Sequence, residues 1–198
     1  MQIIEQSSVD HTLPARRLRR NTLSLVNASP ALTILGPDRY VENLAAGLGF
    51  REDRLVILRI LAHLTPVTLI VVPSEMWGSP QDRLRLLELK ADAAFADHRC
   101  ILVPEGIIQR QPRLENARLI ETSGTSVNAD QRLALMAYLI EAGPSSLLDC
   151  AKAIQHDTPA AAILHLSAAG IIVLHADSHI GPDTIVELAG IDRPHVAV

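Results

Sequence analysis

Aromatic residues make up only 3% of this 198-residue chain. A core must therefore be assembled from Leu, Ile, Val and Ala, and platforms that stack single-stranded bases have almost no material to build from. Cysteine is equally scarce. Cys100 and Cys150 lie inside separate apolar segments and not in a Cys-x-x-Cys arrangement, the pattern of buried thiols in a reducing compartment. The first residues include Glu5 and Asp10 ahead of any apolar run, which is no signal peptide, so a cytoplasmic location is expected. One stretch without a formal charge, residues 160–176, sits at the lower limit for a membrane span. Pro159, Gly170 and a change from Ala-rich to β-branched residues divide it into a helix, a stop and a strand, so no membrane partner is expected. Ser and Cys nucleophile signatures are missing, and Gly47-x-Gly49 lacks the rest of a dinucleotide fingerprint.

Apolar residues, at 48%, are ample for one large domain or two small ones. The net charge of −4 is unevenly spread. Residues 1–21 hold four arginines against two acids, whereas residues 130–198 hold three basic residues against eight acidic ones. Attraction to nucleic acid must come mainly from the front of the chain.

Residues 1–21 read as a basic arm or an early helix. "ALTILG", residues 31–36, reads as a short buried strand, and "PDRYVENLAAGLGF" as a helix beginning at proline and closing in glycine. "REDRLVILRILAHL", residues 51–64, has helical spacing of its leucines and is expected to stop at Thr65-Pro66. "VTLIVVP" and "CILVP" read as strands on either side of a helix over residues 81–98. Residues 22–121 thus predict a small α/β layer. Beyond the turn-rich "TSGTSVN", residues 128–190 predict three short helices, with Asn128 and Thr158-Pro159 as starts, followed by a β-hairpin, the pattern of a winged helix.

The most chemical-looking tripeptide is Glu88-Leu89-Lys90. In restriction-endonuclease-like nucleases a Glu-x-Lys pair lies on a strand, where residues two apart project to one face. There the Glu helps an upstream Asp hold Mg²⁺ while the Lys positions the attacking water. The same residues are flanked by Leu84, Leu87, Ala91, Ala94 and Phe95, a ladder that fits an amphipathic helix with Glu88 and Lys90 on its solvated side. Pro37-Asp38, Glu75 and Asp82 do not supply a strand-borne partner carboxylate.

"CILVPEGIIQRQPRLENARLI", residues 100–120, resembles the end of the catalytic domain of TnsA-type transposon endonucleases: a strand, an acidic-small turn, a basic step and a short helix with a central Asn. Residues 128–188 resemble the winged-helix domain that follows it there. The resemblance implies a nuclease core before residue 100. Only Glu42 and the Glu88/Lys90 pair can be laid on its elements, which implies a reduced or inactivated relative.

Three readings follow. The leading one is a non-catalytic accessory or regulatory protein. Its Arg16, Arg17, Arg19 and Arg20, extended by Arg110 and Arg113, contact DNA phosphates without reading sequence, while its winged domain contacts a protein partner or a second copy of itself. The proposed recognition helix, residues 160–169, offers alanines, leucines, His165 and Ser167, a poor set for base edges. The second reading is an Mg²⁺-dependent endonuclease using Glu88 and Lys90; otherwise no cofactor is expected. The third is an oligomeric scaffold, which a mean hydropathy of +0.20 favours. His175 and His179 have a metal-like spacing but lack a third clustered ligand.

Overall fold

The computed structural model describes residues 12–190 apart from 52 and 177, without the side chains of residues 12–14. It is a mixed α/β structure that divides into two compact units, residues 1–23 with 34–109 and residues 24–33 with 110–198.

β1 (Leu32–Gly36), of which residues 34–36 belong to the first unit, and that unit's β2 (Val56–Ala62), β3 (Thr65–Val72) and β4 (Cys100–Pro104) form one sheet in that spatial order. β1 is an edge strand, half-exposed along its length, and not the buried strand predicted from its apolar composition. β2 corrects the largest misreading, because residues 56–62 are extended where the leucine spacing predicts a helix. Both faces of this strand are covered, with Val56, Ile57, Leu58 and Ile60 all buried. The alternation that marks a strand is therefore missing, and a short continuous apolar run fits either period.

β2 and β3 pair antiparallel through a two-residue turn, His63-Leu64, with Ala62 opposite Thr65. Both turn residues have positive φ, 46° and 66°, as a right-twisted hairpin requires. Pro66, expected to end a helix, instead sits inside β3. The N–H of Thr68 donates to Arg99 across the β4 side, so the missing N–H of Pro66, two residues earlier, faces the same side. Pairing with β4 has not begun there, since its first partner is Thr68.

β3 and β4 are parallel. They are joined through α3 (Ser74–Gly78) and α4 (Pro80–Phe95), the latter capped by Ser79, whose side chain accepts from Asp82 N–H. α2 (Arg39–Gly47) and α4 pack with β2 and β3 through Val41, Ala45, Phe50, Ile57, Ile70, Val72, Leu86, Leu89 and Ala93. α5 (Glu105–Ile108) follows β4.

Residues 12–21 are not an extended arm but the first part of α1 (Thr12–Asn27); residues 1–11 lie outside the described residues. In the second unit α6 (Arg113–Thr122), assigned by sequence to the first domain, packs on α9 (Pro159–Ala168). Between them come α7 (Ala129–Ala142), β5 (Ser145–Ser146) and α8 (Leu147–Ala153), and after them β6 (Ile172–His175) and β7 (Ile185–Leu188). The three strands form an antiparallel sheet in the order β5-β7-β6. Its core joins Leu135, Leu139, Cys150, Ile163, Leu166, Ile172 and Val186.

The helix starts here were legible in the sequence. Asn128 and Gln131 form a reciprocal capping box on α7, and Pro159 occupies the first turn of α9. Gly170 ends α9 with φ 73°, and a Cβ there would lie 2.9 Å from Pro30 Cβ, so both the turn and its packing require glycine. No described helix is long and apolar enough to cross a membrane.

Candidate functional site

Residues 86–91 are helical, within α4. Side chains two apart on a helix diverge by about 200°, so Glu88 and Lys90, both exposed, cannot present one ion and its attacking water together. The strand geometry on which the endonuclease reading depends is absent. The positions that a nuclease-like sheet would use on its middle strands are also apolar. β2 carries a single charge, Arg59, and β3, "TPVTLIVV", carries none. Glu42 is on α2, ion-paired with Arg39 at 3.1 Å.

A buried polar network in the first unit was missed at the sequence level. Asp38, only 3% exposed, begins α2 directly after β1. Its Oδ1 accepts the Val41 N–H at 3.2 Å, its Oδ2 accepts the Thr68 hydroxyl at 2.5 Å, and His98 Nδ1 lies 3.1 Å from the same Oδ2. Tyr40 stacks over the imidazole with ring centroids 4.5 Å apart. Burial pushes the carboxyl pKa up, but the hydrogen bonds from Thr68, Val41 and His98 outweigh it, and the net value falls below the usual 3.8.

A buried carboxylate orienting an imidazole is also the orienting half of a catalytic triad. The nearby Cys100, directly across from Thr68 in the strand register, is the only thiol in the unit. Burial and the charge of Asp38 push its pKa to about 11, which keeps it protonated and a poor nucleophile. The arrangement is suited to fixing the start of α2 against β3 and the loop that enters β4. The only sequence signal for it was Asp38 before a helix, the composition of an N-cap. Its other members are 30 and 60 residues away.

Arg16, Arg17, Arg19 and Arg20 are exposed, opposite the buried Leu18 on α1. At 100° per residue they cover an arc of about 160°. Arg19 also lines a cavity of about 230 Å³ with Arg39 and Arg51, over a floor of Ala45, Phe50, Leu55 and Ile57. Arg39 and Arg51 each meet an acid, Glu42 and Asp53, at 3.1 Å. Arg19 has no ion-pair partner among the described residues. Arg110 and Arg113, exposed as well, belong to the second unit.

In the second unit, the exposed positions of α9 are Ala160 and His165, while Ala162, Ile163, Leu164, Leu166 and Ser167 are buried. The loop between β6 and β7 is held by α6. Asn116 Nδ2 donates to Ser178 O at 2.8 Å, its Oδ1 accepts the Ile180 N–H at 3.0 Å, and His179 Nε2 lies 2.7 Å from Glu115. His175 is paired with Glu187 at 3.1 Å. The two histidines thus have separate carboxylate partners, and no group of three or more metal-ligating side chains occurs among the described residues.

Comparison with family models, with curated proteins and with solved structures finds no match to this chain.

Proposed function

We propose that this chain works by binding and not by catalysis, as a reduced relative of the TnsA-type endonucleases and an accessory or regulatory factor at DNA in the cytoplasm. Its α1 arginines contact phosphates, joined by Arg39 and Arg51 around the cavity that Arg19 lines. The observation that carries this reading is the helical backbone at Glu88 and Lys90, together with middle strands that have no carboxylate.

The second unit is read as a winged helix turned to protein contact. Its order of helix, short strand, two helices and hairpin supports that assignment. The alanine-rich outer side of α9 offers bases nothing to pair with. Asn116 already occupies backbone groups of the hairpin loop that a groove-binding wing would present.

Titration of the protein into a labelled duplex at two salt concentrations tests the reading. A sequence-independent shift is expected, weakening as salt rises. Replacing Arg16, Arg17, Arg19 and Arg20 by Gln should flatten the slope of log K against log salt by about 0.9 for each phosphate that is no longer neutralised. No shift even at low salt would remove the DNA role. Mg²⁺-dependent nicking that disappears in Lys90→Ala would restore the enzyme.

A further inference from the structure

α4 has two apolar ladders. Leu86, Leu89 and Ala93 are buried in the first unit's core. On the opposite side, Leu84 is 68%, Leu87 58% and Phe95 97% exposed, in line with the exposed Ala91 and Ala94. In heptad terms Leu84, Leu87, Ala91 and Ala94 occupy the a and d positions, and the core-facing residues occupy c and f.

The charges beside this stripe are ordered. Arg83 and Lys90 border one side, at g positions, and Glu88 borders the other, at an e position. None of the three has an ion-pair partner among the described residues. Within one helix Arg83 and Glu88 are separated by the stripe and point about 140° apart.

We propose that α4 is a homodimer surface on which two copies of the chain meet, parallel and in register, about a two-fold axis along the helix. In that arrangement the g side of each helix lies against the e side of its partner, and each Arg83 meets the partner's Glu88 five positions on, twice by symmetry. An antiparallel pairing would set Glu88 against Glu88 and Lys90 against Lys90, so the charges select the parallel form. α4, at 16 residues, is about 24 Å long. Two heptads bury less than the roughly 1,600 Å² of a standard interface, so the association is weak, with a dissociation constant on the order of micromolar. The proposal is independent of any contact with DNA.

Sedimentation equilibrium of the full chain over a concentration series tests it. A monomer–dimer equilibrium is expected, abolished by Leu87→Glu, with the thermal unfolding midpoint of the variant equal to that of the unsubstituted chain at concentrations where both are monomeric, because Leu87 is outside the core. Arg83→Glu or Glu88→Arg alone should raise the dissociation constant about tenfold, and the double exchange should bring it back to near the starting value. Leu84→Cys should form an intermolecular disulfide on mild oxidation, which the unmodified chain, with both thiols buried, should not. A monomer at every concentration, or a dimer indifferent to Leu87→Glu, overturns the proposal. Failure of the double exchange to recover, with no Leu84→Cys cross-link, overturns the parallel arrangement. A chain that stays monomeric while its stripe is needed to hold a different protein overturns the choice of a second copy.

Discussion

In the first unit an ionised side chain, Asp38, ties the start of a helix to a strand and to the loop that leads into the next one; in the second a neutral amide, Asn116, ties a helix to a hairpin loop. Each stands where the chain must bring polar groups against an apolar core, and every polar atom of each side chain has a partner. No buried side-chain nitrogen or oxygen among the described residues lacks a hydrogen-bond partner. The difference is one of charge. An amide holds its partners at any ordinary pH, whereas a carboxylate offers a hydroxyl and an N–H two charged acceptor oxygens only while it is ionised.

Both units also carry one buried thiol, Cys100 and Cys150, with its pKa pushed by burial to about 11. Each thiol therefore reports on the opening of its own unit. Asp38→Ala should have the largest effect, destabilising the first unit by about 3 kcal/mol, because Thr68 and the Val41 N–H lose a charged acceptor inside the protein. Urea unfolding followed by thiol labelling should show Cys100 reacting at lower urea than in the unsubstituted chain. Asn116→Ala should cost about 2 kcal/mol by unpairing Ser178 O and the Ile180 N–H, and it is then Cys150 whose labelling should move to lower urea.

Acid sharpens the contrast without a mutation. Because the folded pKa of Asp38 lies below 3.8, its contribution is complete above that value and is lost as pH falls through the lower folded one. A pyridyl disulfide that reacts in acid should find Cys100 before Cys150 between pH 4 and 2, at about the pH where acid unfolding generally begins; equal rates would place the acid-sensitive groups elsewhere. The smallest effect is expected at pH 8. A thiol held at about 11 in place of 9.0 disfavours the folded state only as pH rises from 9 towards 11. At pH 8 an aromatic disulfide reagent should therefore label neither thiol until denaturant is added.

What the sequence disclosed follows the range over which each signal acts. Caps and stops are local, and Asn128, Thr158-Pro159 and Gly170 located α7 and α9 correctly. β3 and β4 were readable from their apolar runs. β2 was not, because burial on both faces erased the period that separates strand from helix. α4 was found, yet its composition supports two ladders, and only the packing of Leu86, Leu89 and Ala93 decides which one faces inward. The Asp38 network was out of reach, since it joins residues from three distant segments and no local spacing encodes it.

The turn between β2 and β3 has a consequence for engineering. His63 and Leu64 both adopt left-handed backbone angles, and Leu64 is 89% exposed, so nothing is gained by packing the leucine. Asn-Gly at these positions suits the same geometry with less steric conflict and should raise stability by about 1 kcal/mol. The tip of this hairpin is thus a reserve of thermal resistance that leaves the arginines, α4 and the Asn116 clasp untouched.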